Sequence, residues 1–89
     1  MKSYIIIERG SNGEFEDVYV ENSELNIEEF CRDRYEKEIE KEKEGLSEEE
    51  SLEVDEYMEE FGGVKSIGGG GWEIGLSEER FCEVYEIKV

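Results

Sequence analysis

Negative charge sets the first limit on what this chain can become. Asp and Glu number 27 against 10 Lys and Arg in 89 residues, a net charge of −17, and 24 of those acids are Glu. Every element must therefore keep one face in water, because an unpaired carboxylate is too costly to bury. What is left for the interior is a hydrophobic content of 36%, with aromatics at 11%. That supports one small core and no second, so residues 1–89 read as a single acidic domain.

The same imbalance excludes classes of function. Neutralising phosphates takes a basic surface, so direct binding to nucleic acid or to an anionic membrane is not expected. The chain contains no His, Pro, Ala, Thr or Gln. Without His it lacks the commonest general base and zinc ligand. Cys31 and Cys82 are too few to close a structural zinc site and have no CxxC spacing. A disulfide between them stays open from sequence, with two reduced, half-buried thiols the plainer reading. The apolar run at the N-terminus, Tyr4 to Ile7, is too short for a signal peptide or a membrane span. A soluble, cytoplasmic protein is expected.

Periodicity divides the chain into four parts. Tyr4–Arg9 and Phe15–Val20 are rich in β formers and flank the turn-forming Gly10-Ser11-Asn12-Gly13, which predicts a hairpin. Three consecutive isoleucines, Ile5 to Ile7, suit a central strand or one covered on both faces. Asn26 then caps a helix with Glu29 three residues on, Leu25 and Phe30 in staple positions, and Gly45 as its stop. Ile27, Phe30, Cys31, Tyr35 and Ile39 form its inward stripe, and its last turn, Glu40 to Glu44, has no apolar residue. Ser47 and Glu50 make a second capping box, and Val54, Tyr57, Met58 and Phe61 fall at i, i+3, i+4 and i+7 before Gly62-Gly63. The tetraglycine Gly68–Gly71 is read as a break in regular structure. Trp72, Ile74 and Leu76 alternate with Glu73 and Gly75, and a last strand is expected over Phe81–Val89. Trp72 and Phe61 are expected in the core. The predicted fold is α+β in the order ββααββ, with an antiparallel sheet of about four strands and two helices packed on one face.

The excess charge is unevenly spread. Between residues 46 and 61 there are eight acids and no base. On a helical projection Glu49, Glu53, Glu56 and Glu60 form one line, with Glu48, Asp55 and Glu59 beside it. In the first helix Glu29, Asp33, Glu36, Glu40 and Glu44 form a row opposite the buried stripe. Neighbours in each row are separated by a rise of about 4.5–6 Å, the order of spacing between phosphates along a nucleic-acid strand. Like charges at i,i+4 each cost a helix about 0.2–0.5 kcal/mol. In the first helix Lys37, Lys41 and Lys43 are interleaved, and a solvated face accounts for the acids. In the second no base offsets them, and only part of the excess suits the helix dipole. Leu52 projects among these acids, either as an ordinary exposed apolar residue or as a contact anchor.

No chemistry is expected. Carboxylate pairs are too abundant to single out an acid/base couple. No EF-hand loop is present, and Glu side chains on regular helices cannot wrap a calcium ion. The tetraglycine lacks the Lys-Ser/Thr of a Walker motif. No metal, no cofactor and no enzymatic activity are predicted.

In size, charge and short mixed α/β organisation the chain resembles the phage-encoded anti-CRISPR and anti-restriction proteins, the likeness resting on the Glu48–Glu60 helix and the Glu29–Glu44 row. That resemblance implies a nucleic-acid mimic, a stoichiometric inhibitor acting in the cytoplasm of an infected cell. Its carboxylates would occupy a basic PAM-reading or guide/target channel of a Cas effector or other nuclease. The partner-binding residues would be Glu48, Glu49, Glu53, Asp55, Glu56, Glu59 and Glu60, with Glu36, Glu40 and Glu44. The alternative is a generic acidic interaction module, an antitoxin-like or regulatory subunit that binds a basic partner without imitating nucleic acid. Close homodimers through the helices are disfavoured by self-repulsion, while an apolar sheet face stays free to pair.

Overall fold

Alternating apolar residues at both ends of the chain form strands, and two capped helices run between them. A computed structural model describes residues 1–88: β1 (Lys2–Arg9), a 3-10 turn (Ser11–Gly13), β2 (Phe15–Ser23), α1 (Ile27–Lys43), α2 (Glu48–Phe61), β3 (Gly63–Gly68), β4 (Gly71–Gly75) and β5 (Phe81–Ile87). The strands make one antiparallel sheet in the order β2-β1-β5-β4-β3. The α+β class and the helix pair agree with the sequence. Val89, the expected end of the last strand, lies outside the described residues. No helix among the described residues is long and apolar enough to cross a membrane.

The sheet has five strands rather than four, so the order is ββααβββ. The additional strand, β3, follows α2 at once, and the break expected at the tetraglycine narrows to Gly69-Gly70, with Gly68 and Gly71 inside the strands. Gly69 and Gly70 are the two central residues of a β3–β4 hairpin, with φ of 58° and 78°. Positive φ at both positions is what a tight type I′ turn requires. Glycines adjoining both strands hid the pairing of Val64 with Ile74 and of Ser66 with Trp72.

The core lies between the sheet and α1. Tyr4, Ile6, Ile74, Cys82 and Val84 from the strands meet Phe30 and Cys31 from the helix, all buried. The Tyr4 and Phe30 rings stack at 4.5 Å, and the Tyr4 hydroxyl donates to the Leu25 carbonyl at 2.6 Å, which ties β1 to the entry of α1. Arg34 ties α1 to edge strand β2. Its guanidinium donates to Glu21 at 2.5 Å and to the Tyr19 hydroxyl at 2.6 Å and lies over the Tyr19 and Phe30 rings. Burial opposes the charge on Arg34, but its hydrogen bond and ion pair with Glu21 outweigh that cost and raise its pKa.

α1 covers β3, β4 and β5, whereas α2 packs chiefly against α1. The inward stripe expected of α2 is accordingly only partly realised. Met58 is buried, but Tyr57 is exposed and Phe61 keeps 38% of its surface, so Phe61 is not a core residue. A helix that docks on the flank of another helix has a narrow contact, and of the α2 stripe only Met58 is buried in it.

Candidate functional site

Both helix starts form as their sequences dictate. The Asn26 side chain accepts from the Glu29 amide at 2.9 Å, and the Ser47 hydroxyl accepts from the Glu50 amide at 3.3 Å while donating to the Glu50 carboxylate at 3.0 Å. These caps fix where each helix begins. Glu48, Glu49, Glu53, Asp55, Glu56, Glu59 and Glu60 on α2 are all exposed, as are Glu36 and Glu40 on α1 and Glu44 at its cap. Leu52 is exposed among the acids of α2.

Asp55 differs from the rest. Lys43, in the last turn of α1, reaches it at 2.6 Å and clasps the two helices together. The other helix ion pairs lie along α1 or join it to the sheet: Arg32–Glu28 at 2.9 Å, Lys37–Asp33 at 2.9 Å and Arg34–Glu21 at 2.5 Å. Among the described residues no ion pair engages Glu48, Glu49, Glu53, Glu56, Glu59 or Glu60. The bases of α1 are thus largely consumed inside the molecule, and the acids of α2 are left facing water.

Where the helices meet, the structure places acids that the helical projection did not single out. A groove of about 440 Å³ runs between α1, α2 and the β4–β5 loop, with Glu38 and Glu42 on one wall and Glu50 and Glu53 on the other. Leu46, Val54, Tyr57, Met58 and Leu76 line it, and Arg80 contributes one positive charge. The Tyr57 hydroxyl accepts from the Glu78 amide at 3.1 Å and the Tyr35 hydroxyl donates to the Met58 carbonyl at 3.1 Å, which pins α2 to the loop and to α1. Only Glu53 of these four acids was predicted. Glu38 and Glu42 stand at i,i+4 beside the apolar stripe of α1, and their membership depends on the flank along which α2 docks, which periodicity does not encode.

The two cysteines are buried and free. Burial pushes both thiols up to about 11, so they are neutral and unsuited to nucleophilic or metal chemistry at ordinary pH. Among the described residues no group of three or more Cys, Asp or Glu is placed to hold a metal ion. Comparison with protein families, curated proteins and solved structures gives no match.

Proposed function

We propose that this protein is a non-catalytic acidic inhibitor that mimics nucleic-acid phosphates and blocks the basic nucleic-acid-binding surface of a nuclease, a CRISPR-Cas effector being the target class that its resemblance implies. The observation that carries the reading is α2: eight exposed acids, no base, and Asp55 alone held by an ion pair. Such a helix lowers its own stability through like-charge neighbours, which is accounted for when a cationic receptor supplies the missing counter-charge. Glu36, Glu40 and Glu44 extend the acidic surface along α1.

The test is competition. The purified protein is titrated into a Cas effector loaded with labelled guide and target, and displacement is followed at low and raised salt. Displacement that weakens steeply with salt is expected. Reversal of Glu53, Glu56 and Glu60 to Lys together should abolish it with a native circular dichroism spectrum. Full inhibition by that variant would sink the reading.

A second reading, the acidic module that binds a basic partner without imitating nucleic acid, is favoured by one observation. The inter-helix groove has an apolar floor, which phosphate mimicry does not need, while an Arg- or Lys-flanked apolar side chain would use it. A partner that binds tightly and leaves nucleic-acid loading untouched would select this reading.

A further inference from the structure

The face of the sheet opposite the helices carries an uncovered apolar patch. Tyr4, Ile6, Cys82 and Val84 point into the core, so by strand alternation Ile5, Ile7, Tyr85 and Ile87 point the other way. Register sets Val20 and Tyr85 on either side of Ile5, and Val18 beside Ile7. The six residues form one block across β2, β1 and β5. Val20 is 55% exposed and Ile87 39%. Single exposed apolar residues are ordinary, but a contiguous cross-strand block in so acidic a chain marks a contact surface.

Charge decides what can cover it. The regular outward positions of the five strands hold two bases and two acids, paired as Arg9–Glu83 at 2.6 Å and Lys65–Glu73 at 3.8 Å. Apart from the exposed Glu16 at the β2 bulge, this face is therefore neutral on a molecule of net charge −17. A basic partner is drawn to the helices instead. A surface with an apolar block across β2, β1 and β5 and both signs of charge beside it can pair with a second copy of itself, as a two-fold contact requires.

We propose that the protein forms a two-fold dimer through the outer face of its sheet, with the helices of both protomers turned outward. Sheets stacked face to face sit about 10 Å apart, which places the two helix layers about 30 Å from each other. That is about three Debye lengths at 0.1 M salt, so the acidic helices repel little across the dimer. Five strands about 4.8 Å apart and about six residues long project to roughly 24 by 20 Å. That is about 480 Å² per partner, below the ~800 Å² of a standard interface and in the range of a weak, concentration-dependent contact. The dimer is independent of the partner's identity, so either proposal can fail while the other stands.

Sedimentation velocity over a micromolar-to-millimolar concentration series tests it. The wild-type chain should pass from monomer to dimer mass, and raising salt from about 0.01 M, where the Debye length is about 30 Å, to 0.1 M should strengthen the association, because screening removes repulsion while apolar burial persists. That sign is opposite to the one expected for a cationic partner. Val20→Lys, on the exposed edge strand, should weaken dimerisation by about tenfold or more, whereas Leu52→Lys on α2 should leave it unchanged. Should Val20→Lys fail to fold, dilution of the wild-type protein followed by NMR carries the same information: shifts should concentrate on β1, β2 and β5. A monomer at every concentration and salt, a folded Val20→Lys variant that still dimerises, or dilution shifts confined to α2 would each overturn the proposal.

Discussion

Cys31 and Cys82 show what burial does to single residues here. Both are closed off from solvent and sit in the core with Ile6, Ile74 and Val84. Desolvation raises each thiol from an ordinary value of 9.0 to about 11. A group with a raised pKa in the folded state binds its proton more tightly there than in the unfolded chain. Its contribution is fully present below pH 9 and is lost as pH rises through about 11, where the unfolded thiolates are favoured. Tyr4, Tyr19 and Tyr35 are raised chiefly by burial as well and act in the same direction at higher pH. The melting temperature should therefore fall between about pH 9 and pH 11, and Cys31→Ala with Cys82→Ala should flatten that fall while lowering stability at neutral pH. Thermal melts of both proteins across this range check it; an equal alkaline slope in the double variant would show that the thiols titrate normally. Sequence suggested reduced, half-buried thiols, and the two prove more deeply enclosed than that, because α1 lies directly over β5.

Among the elements, the glycines around β3 have two different jobs that sequence does not separate. Gly69 has φ of 58° and open space where a Cβ would stand, so its role is conformational. Asn tolerates that backbone region and restricts the unfolded chain, so Gly69→Asn should stabilise by about 0.4–1 kcal/mol. Gly62 has an ordinary φ of −107°, but a Cβ there would meet the Met58 carbonyl at 2.9 Å and the Gly75 carbonyl at 3.0 Å. Gly62→Ala should destabilise by about 1–3 kcal/mol, because two backbones must separate. Chemical denaturation of the two variants should move the midpoint in opposite directions, and a shared direction would contradict the assigned roles. The capped helices and the flanking strands were legible because caps and period-2 alternation are local. β3 was not, since its pairing residues Val64 and Ser66 lie between glycines and are recognised only through β4. The docking of α2 was overread for a related reason: Val54, Tyr57, Met58 and Phe61 have the right spacing for a wide contact, but spacing does not say whether a sheet or another helix lies opposite.

For the whole molecule, charge sets stability against function. Net charge −17 opposes compaction through self-repulsion. α2 concentrates the opposition, with Glu49/Glu53, Asp55/Glu59 and Glu56/Glu60 at i,i+4 and only Asp55 neutralised, by Lys43. The outer acids were readable from the sequence because a helical projection places them without tertiary information. The groove acids Glu38, Glu42 and Glu50 were not, because two helices must first be brought together. If α2 is retained for a cationic partner, relieving its repulsion should stabilise the fold and damage binding together. Glu56→Lys alone turns its like-charge relations with Glu60 at i+4, Glu59 at i+3 and Glu53 at i−3 into opposite-charge ones. The change should be worth up to about 1 kcal/mol in total, or a rise in melting temperature of about 4–8 °C for a domain of this size. The gain should shrink as salt rises, since these side chains are exposed and screened. Melting curves of Glu56→Lys and wild type at low and high salt, paired with the nuclease competition, resolve the trade. A variant that melts higher and inhibits less is the expected outcome. One that melts lower would mean that Glu56 has a structural partner, and one that melts higher with undiminished inhibition would remove α2 from the contact surface.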